Sequence, residues 1–364
     1  MPSEKMLMRG SHVVGEAAVR AGCRYYFGYP ITPQNELPEY LSARLPEVGG
    51  TFIQGESEVA SINMVLGASV AGGRAMTSSS SPGISLKQEG ISFMAGMELP
   101  AVIVNMMRGG PGLGNIAPSA ADYFQATRGG GHGDYRTPVL APAGCQELAE
   151  LTFVAFELAD KYRNPVMLLG DGLMGQVMEP VVFPDFIDLD HLPKKDWALT
   201  GCKGREPRAI FSMLLGQKGE LYYHNLHLQE KYDQISAEEL RWETHQADNA
   251  EMIVVAYGTA ARIAERAIDK LRAEGLAVGL FRPITLWPFP TAPLRELASK
   301  SHKVAVFELS LGQMVEDVIL SLGERAEIYF YGVPGGIIPT PDDVGKFMRS
   351  AVAGDEKVGR RLAL

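Results

Sequence analysis

Residues 74–107 read RAMTSSSSPGISLKQEGISFMAGMELPAVIVNMM. Arg74–Thr77 fits a strand, and a serine run with Pro82-Gly83 follows it. Residues 84–97 fit a helix, and Ala101–Met107 is a continuous apolar run that ends in a glycine-rich loop. A strand apolar on both faces is covered on both faces, and such strands joined through a helix belong to a parallel sheet. The pattern extends upstream. Arg24–Gly28 and Thr51–Gln54 read as strands, and Glu58–Ala71 reads as a helix with Val59, Ile62, Val65 and Leu66 on its apolar face. A helix is expected from Pro33 to about Leu45, with Thr32 as its N-cap and Pro33 at the first helical position. Downstream, strands are expected at Pro138–Ala141 and Pro165–Leu169, with a helix over Gln146–Tyr162 between them.

The alternation breaks near Val181. Residues 181–247 are charged, proline-bearing and aperiodic, and are expected to form a linker with a hairpin or two. Regularity returns with a strand at Met252–Tyr257, a helix at Ala260–Glu274, a strand at Val278–Phe281, a helix at Leu294–Ser301, and strands at Val304–Phe307 and Ile328–Tyr331. The expected division is a parallel-sheet domain over 1–180, a linker over 181–247, and a smaller α/β domain over 248–364.

The 364 residues are 46% hydrophobic and 21% charged, an ordinary globular mix. Lys+Arg minus Asp+Glu is 34 − 43 = −9, which argues against nucleic-acid or anionic-membrane binding. Cys23, Cys145 and Cys202 are far apart and form no CxxC pair, so this chain alone builds neither a zinc site nor an iron–sulfur cluster. An odd, scattered set of cysteines suits a reducing compartment. Residues 1–9 lack the apolar core of a signal peptide, and the apolar runs are too short to span a bilayer. A cytoplasmic protein is expected.

In open parallel sheets, ligands sit beyond the carboxyl ends of the strands. Four loops fall there. Tyr29-Pro30-Ile31-Thr32-Pro33 is either a rigid turn with Thr32 as a cap or a loop that turns the Thr32 hydroxyl to a ligand. Gly55-Glu56-Ser57-Glu58 puts two carboxylates where a helix begins, either as acids favoured by the helix dipole or as one buried catalytic carboxyl. Arg108-Gly109-Gly110-Pro111-Gly112-Leu113-Gly114-Asn115 sets a guanidinium at a strand end beside glycines, apt for a carboxylate or simply a turn. Ser78–Ser81 with Pro82-Gly83 can cap a helix or hydrogen-bond a ligand. The third loop contains GxGxG but does not clearly open a helix, so a dinucleotide fingerprint and a nicotinamide-dependent dehydrogenase are set aside. Gly170-Asp171-Gly172 resembles the start of a thiamine-diphosphate metal motif. The asparagine pair that should follow is missing, so no metal ligand is assigned.

Together, YPITP at 29–33, ESEVAS at 56–61, TSSSSPG at 77–83, RGGPGLGN at 108–115 and GGGHGDYR at 129–136 resemble the pyrimidine-domain (alpha-type) subunit of 2-oxo-acid:ferredoxin oxidoreductases. YGTAAR at 257–262, FRPITLWPFP at 281–290 and FELSLGQM at 307–314 resemble the transketolase C-terminal-like domain of that family. The likeness is strongest to the 2-oxoisovalerate (branched-chain) enzymes and next to the 2-oxoglutarate enzymes. It implies an α/β fold in which a thiamine-diphosphate pyrimidine-binding domain precedes a smaller transketolase-like one. Glu58 would contact the aminopyrimidine, with Glu56 in reserve. Thr32 and Arg108 would meet the 2-oxo acid, and Tyr29, Pro30, Ser81 and Gly109 would line the cofactor. His132 and Tyr135 could help shape the site or serve packing.

The implied reaction is oxidative decarboxylation, with acyl transfer to coenzyme A and electrons passed to ferredoxin. The diphosphate and Mg2+ would be held by a diphosphate-binding partner subunit. The [4Fe-4S] clusters would sit on that subunit or on a ferredoxin-like subunit, and a gamma-type subunit would complete the assembly. A transketolase- or decarboxylase-like subunit needing no ferredoxin, and a scaffold with a dead site, are the rival readings. The joint presence of Glu58, Thr32 and Arg108 argues against the scaffold.

Overall fold

The structure, a computed structural model, describes residues 5–210, 219–355 and 359–361. The chain runs through β1 (Met6–Arg9), α1 (Gly10–Arg20), β2 (Tyr25–Gly28), α2 (Glu36–Glu47), β3 (Thr51–Gln54), α3 (Glu58–Val70), β4 (Ala75–Ser79), α4 (Pro82–Gly96), β5 (Ala101–Met107), α5 (Tyr123–Arg128), β6 (Val139–Leu140), α6 (Cys145–Tyr162), β7 (Pro165–Asp171), α7 (Gly172–Gln176) and β8 (Met178–Val181). It continues through α8 (Glu220–Glu238), β9 (Trp242–His245), β10 (Met252–Val255), α9 (Gly258–Ala273), β11 (Val278–Pro283), β12 (Thr285–Trp287), α10 (Thr291–Ser301), β13 (Lys303–Glu308), α11 (Met314–Leu322), β14 (Glu327–Gly332), α12 (Pro341–Ala353) and β15 (Arg360–Arg361).

Seven strands form the first sheet in the order β12-β6-β7-β5-β4-β2-β3, parallel except for β12. Its central strand shows why both faces are covered. Side chains alternate along β5. Val102, Val104 and Met106 enter one core with Val13 and Val14 of α1, Leu37 of α2 and Leu148 of α6. Ala101, Ile103 and Met107 enter another with Ile62 of α3 and Ile91 and Met94 of α4. The second core continues without a break into the other sheet, ordered β15-β14-β13-β10-β11-β9 with antiparallel edges and parallel centre.

The structure differs from the sequence reading in three places that matter. Thr32 does not cap α2. A turn closed by the Gln34 N–H on the Ile31 carbonyl (3.1 Å) comes first, and α2 begins only at Glu36, after Asn35. That turn drives Gln34 into the interior, where it is fully buried. The segment expected to hold hairpins carries the 19-residue α8, whose Leu228, Tyr232 and Ile235 pack on the first core. Its signal is weak because its other face is charged and exposed. Finally, Thr285–Trp287 returns from the second sheet to pair with β6 at the edge of the first.

Candidate active site

Parallel β2, β3, β4 and β5 aim their C-termini at one edge, so the loops after them share a rim. There the two carboxylates of the second loop part company. Ser57 is extended and its Oγ accepts the Ala60 N–H (3.1 Å), which starts α3 at Glu58. Glu56, one residue before that cap, is left exposed beside the Ser57 hydroxyl. Glu58, one residue after it, is turned inward and is 7% exposed. Its carboxyl stands against Gly83, where an added Cβ would lie 2.8 Å from Glu58 Oε1 and collide with Ser79 Oγ. Glycine at 83 is what gives the carboxyl its room. Among the described residues, none donates a hydrogen bond to Glu58.

The serine run forms the floor. Ser78 Oγ meets the Tyr26 hydroxyl and donates to Gln34 Oε1, both at 2.6 Å. Lys87, one helical turn beyond Gly83, is fully buried and donates to Thr77 Oγ1 (2.6 Å) and the Ser78 carbonyl (3.2 Å). Burial pushes its ammonium down to about 7, against the opposing pull of Glu58. Ser81 has φ +23° and ψ −82°, backbone that a side-chain-bearing residue rarely adopts. Three bonds hold it there. Its N–H donates to Asn105 Oδ1, its hydroxyl donates to Asp122 Oδ2 (2.6 Å), and the same hydroxyl accepts the Arg108 N–H (3.0 Å). Burial raises the Asp122 carboxyl, opposed by hydrogen bonds from Ser81 and Asn105.

Arg108, 6% exposed at the end of β5, donates to the carbonyls of Thr32 (2.9 Å) and Leu113 (3.0 Å). It therefore joins the first loop to its own loop, through the Thr32 backbone. The Thr32 hydroxyl is exposed and accepts only a long bond from Asn35 (3.4 Å). Tyr29 and Pro30 are exposed on the rim. Gly109 donates to the Ala117 carbonyl and accepts the Asn115 N–H, folding RGGPGLGN back on itself. Gly114 makes this possible, with φ +59° and no room for a Cβ against the Gly109 carbonyl. Asn115 reaches the second domain at the Gly335 carbonyl (3.0 Å).

Asp171 is taken up elsewhere. Its Oδ1 accepts the Leu173 and Met174 N–H groups at the start of α7. Tyr135 is buried and its hydroxyl accepts N–H bonds from Gly130 and Gly131, a loop-holding arrangement, whereas His132 is exposed. The sequence reading missed Gln34, Lys87, Asn105 and Asp122. A signal existed for one of them, since Asn105 interrupts the apolar run AVIVNMM.

These buried atoms meet the demands of a ligand. Gln34 Nε2, Ser79 Oγ, Ser80 Oγ and Arg108 Nε, in the loops and strand ends of this rim, are buried without partners and could be satisfied by a ligand, though the same state recurs elsewhere, as at Asn164 Oδ1 and Gln125 Oε1. The thiamine-diphosphate-binding family of pyruvate flavodoxin/ferredoxin oxidoreductases matches residues 16–239, and core domain II of pyruvate:ferredoxin oxidoreductase matches residues 250–344. The chain belongs to this family of oxidoreductases.

It is 49% identical to the ketoisovalerate oxidoreductase subunit VorB of Methanothermobacter thermautotrophicus, over 96% of this chain and 98% of that one. It is 35% identical to the 2-oxoglutarate synthase subunit KorA of Methanocaldococcus jannaschii, over 93% and 97%. It also superposes, with a TM-score of 0.87 and 27% identity over 96% of its length, on the 2-oxoglutarate:ferredoxin oxidoreductase of Magnetococcus marinus, solved with 2-oxoglutarate, coenzyme A and succinyl-CoA bound. This chain spans 66% of that solved chain. Among the described residues, no helix is long and apolar enough to cross a membrane.

Proposed function

We propose that this chain is the subunit of a 2-oxo-acid:ferredoxin oxidoreductase that grips the pyrimidine end of thiamine diphosphate, and that the acid is a branched one, 2-oxoisovalerate. The observation that carries the site assignment is Glu58, a buried carboxyl with no hydrogen-bond donor among the described residues. It lies beside hydroxyls that also lack partners. The substrate rests on the ketoisovalerate subunit being nearer in sequence than the 2-oxoglutarate one.

Thiamine diphosphate, when bound, supplies the carbon nucleophile and the electron sink for decarboxylation. The work of this chain is narrower. Glu58 would hold a shared proton between its Oε atoms and the aminopyrimidine ring, in its buried place beside Gly83. Tyr29, Pro30, Ser81 and Gly109 would line the ring. Arg108 would turn its unpartnered Nε, or a donor released from the Thr32 carbonyl, to the substrate carboxylate. With no CxxC pair in the chain, the [4Fe-4S] clusters would belong to partner subunits, and the diphosphate and Mg2+ to a diphosphate-binding subunit. A gamma-type and a ferredoxin-like subunit would complete an assembly working in the cytoplasm. Residues 1–180 would present the cofactor and 248–364 would support them.

The test is reduction of ferredoxin, or of a viologen dye, by the assembled complex with coenzyme A and a panel of 2-oxo acids. Preference for 2-oxoisovalerate and its branched relatives is expected. Preference for 2-oxoglutarate would overturn the substrate, and failure of every acid would overturn the activity.

A further inference from the structure

Asp122 stands at the N-cap position of α5, where an aspartate ordinarily accepts an N–H of its own helix. Among the described residues its carboxyl takes no N–H of α5. Its Oδ2 is spent on the first sheet instead. It accepts the Ser81 hydroxyl (2.6 Å), 41 residues back, and Asn105 Nδ2 (2.9 Å), 17 residues back. Asn105 Oδ1 in turn accepts the Ser81 N–H (3.1 Å), so Ser81, Asn105 and Asp122 close a ring of hydrogen bonds around the backbone that has φ +23°. The cap that Asp122 leaves open is filled from the second domain. Gln313 Oε1, just before α11, accepts the Phe124 N–H (2.8 Å), and Gln313 Nε2 donates to the Ala121 carbonyl (2.6 Å). The same stretch is bound to the second domain on either side. The Ala120 N–H donates to the Leu309 carbonyl (3.0 Å), the Tyr257 hydroxyl donates to the Ala120 carbonyl (3.1 Å), and the Tyr123 hydroxyl donates to Asp317.

We infer that Asp122 is a positioning residue of the thiamine site, freed for that work by Gln313, which caps α5 in its place and so ties the second domain to the serine loop. The inference rests on the function proposed above. Asp122 acts through Ser81. The Ser81 hydroxyl also accepts the Arg108 N–H (3.0 Å), next to Gly109, so the two loops that would line the ring are fixed together. A serine released from Asn105 and Asp122 relaxes to the negative φ that L-residues prefer, and both loops shift with it. Without Gln313 the Phe124 N–H loses its acceptor. An aspartate at the N-cap is placed to answer that N–H, at the expense of Ser81.

The measurement is the dissociation constant of thiamine diphosphate for the cofactor-stripped assembled complex, with excess Mg2+, by titration calorimetry, with a melting curve on each preparation. Asp122→Ala should weaken binding about tenfold, the worth of the two hydrogen bonds that hold Ser81 and Asn105. Asp122→Asn, whose amide oxygen can accept from both donors, should recover most of that loss. Gln313→Ala, in the other domain, should weaken binding about threefold, as Asp122 divides its time between α5 and Ser81. Adding Gln313→Ala to Asp122→Ala should weaken binding no further, because both changes break one path. The inference would be overturned by an Asp122→Ala complex that binds as the wild type does, by an Asp122→Asn complex as weak as Asp122→Ala, by a Gln313→Ala complex that shifts only the melting temperature, or by losses that add in the double variant. A wild-type complex that binds no thiamine diphosphate at all would instead overturn the proposed function beneath it.

Discussion

Two polar regions lie within this molecule, and they are built to opposite rules. At the seam between the sheets, Arg282 is buried, yet it pairs with both carboxylate oxygens of Glu147 on α6 and with Glu243 on β9 (2.5 Å). Nearby, Glu308 is fully buried and accepts the N–H groups of Gln313, Met314 and Val315 and the Ser310 hydroxyl. Tyr123 donates to Asp317, which also receives Arg128. At the strand-end rim the balance is reversed. Gln34 Nε2, Ser79 Oγ, Ser80 Oγ and Arg108 Nε lack partners, and the buried Glu58 carboxyl accepts no hydrogen bond among the described residues. A buried group with every partner present holds the fold together. A buried group kept waiting weakens the fold, and it persists where a ligand completes it.

The sharpest way to break this contrast is Glu58→Gln. If the rim is kept unpaired for the cofactor, turnover of the assembled complex should fall by about 10²–10⁴-fold, the usual worth of a positioned acid–base group. Thermal unfolding should barely move, because the carboxyl has no hydrogen bond within the chain to lose. Dye reduction at saturating substrate and a melting curve on the same preparation decide it. Wild-type turnover would sink the role of Glu58.

Arg282→Met probes the other region and should show the reverse. It leaves Glu147 and Glu243 facing each other without their cation. For a well-buried pair such a loss costs about 3–5 kcal/mol. Here Glu147 and Glu243 are 27% and 50% exposed, so a loss on the order of 2 kcal/mol is expected after screening by water. Denaturant unfolding should show it, while the dependence on 2-oxo acid stays as in the wild type. A variant as stable as the parent would show that the seam is held by its apolar core alone.

Arg108→Ala tests a residue that belongs to both regions. Its two bonds to the Thr32 and Leu113 carbonyls are structural, and its free Nε is not. The expected result is a KM for the 2-oxo acid raised about tenfold with a modest loss of stability, near 1–2 kcal/mol for two hydrogen bonds. An unchanged KM would confine Arg108 to holding the loops.

The contrast also shows what could be read from the sequence. The alternation around Arg74–Met107 specified a parallel sheet because a doubly covered strand must be apolar on both faces, and β5 is. That Glu58, Arg108 and the serine run sit at strand ends was legible, because each follows a strand of the alternation. The start of α2 was not, since Thr-Pro is an equally good cap signal whether or not a turn intervenes. Nor, without the family resemblance, was the distinction between Glu56 and Glu58. It depends on which side of the Ser57 cap each residue falls, a difference of one backbone position that turns one carboxylate to water and the other to the interior. Lys87 escaped because its partners, the Thr77 hydroxyl and the Ser78 carbonyl, close round it only on folding.

The smallest expected effect concerns Glu16, a fully served carboxylate of the structural kind. Burial alone would raise its pKa, but Arg44, Arg20 and Tyr40 all bond to it, and the balance lies below its ordinary value of 4.5. A carboxyl depressed in the folded state stabilises the fold above the unfolded value, and that stability is lost as pH falls through the folded one. Glu16→Gln should therefore flatten part of the acid limb below about pH 4.5 in a plot of unfolding free energy against pH, with little change in cofactor affinity at neutral pH. Equal acid limbs in variant and parent would mean that the arginines find other partners. The pairing of α1 with α2 would then be less exclusive than the geometry of Arg44 on Glu16 (2.9 Å) implies.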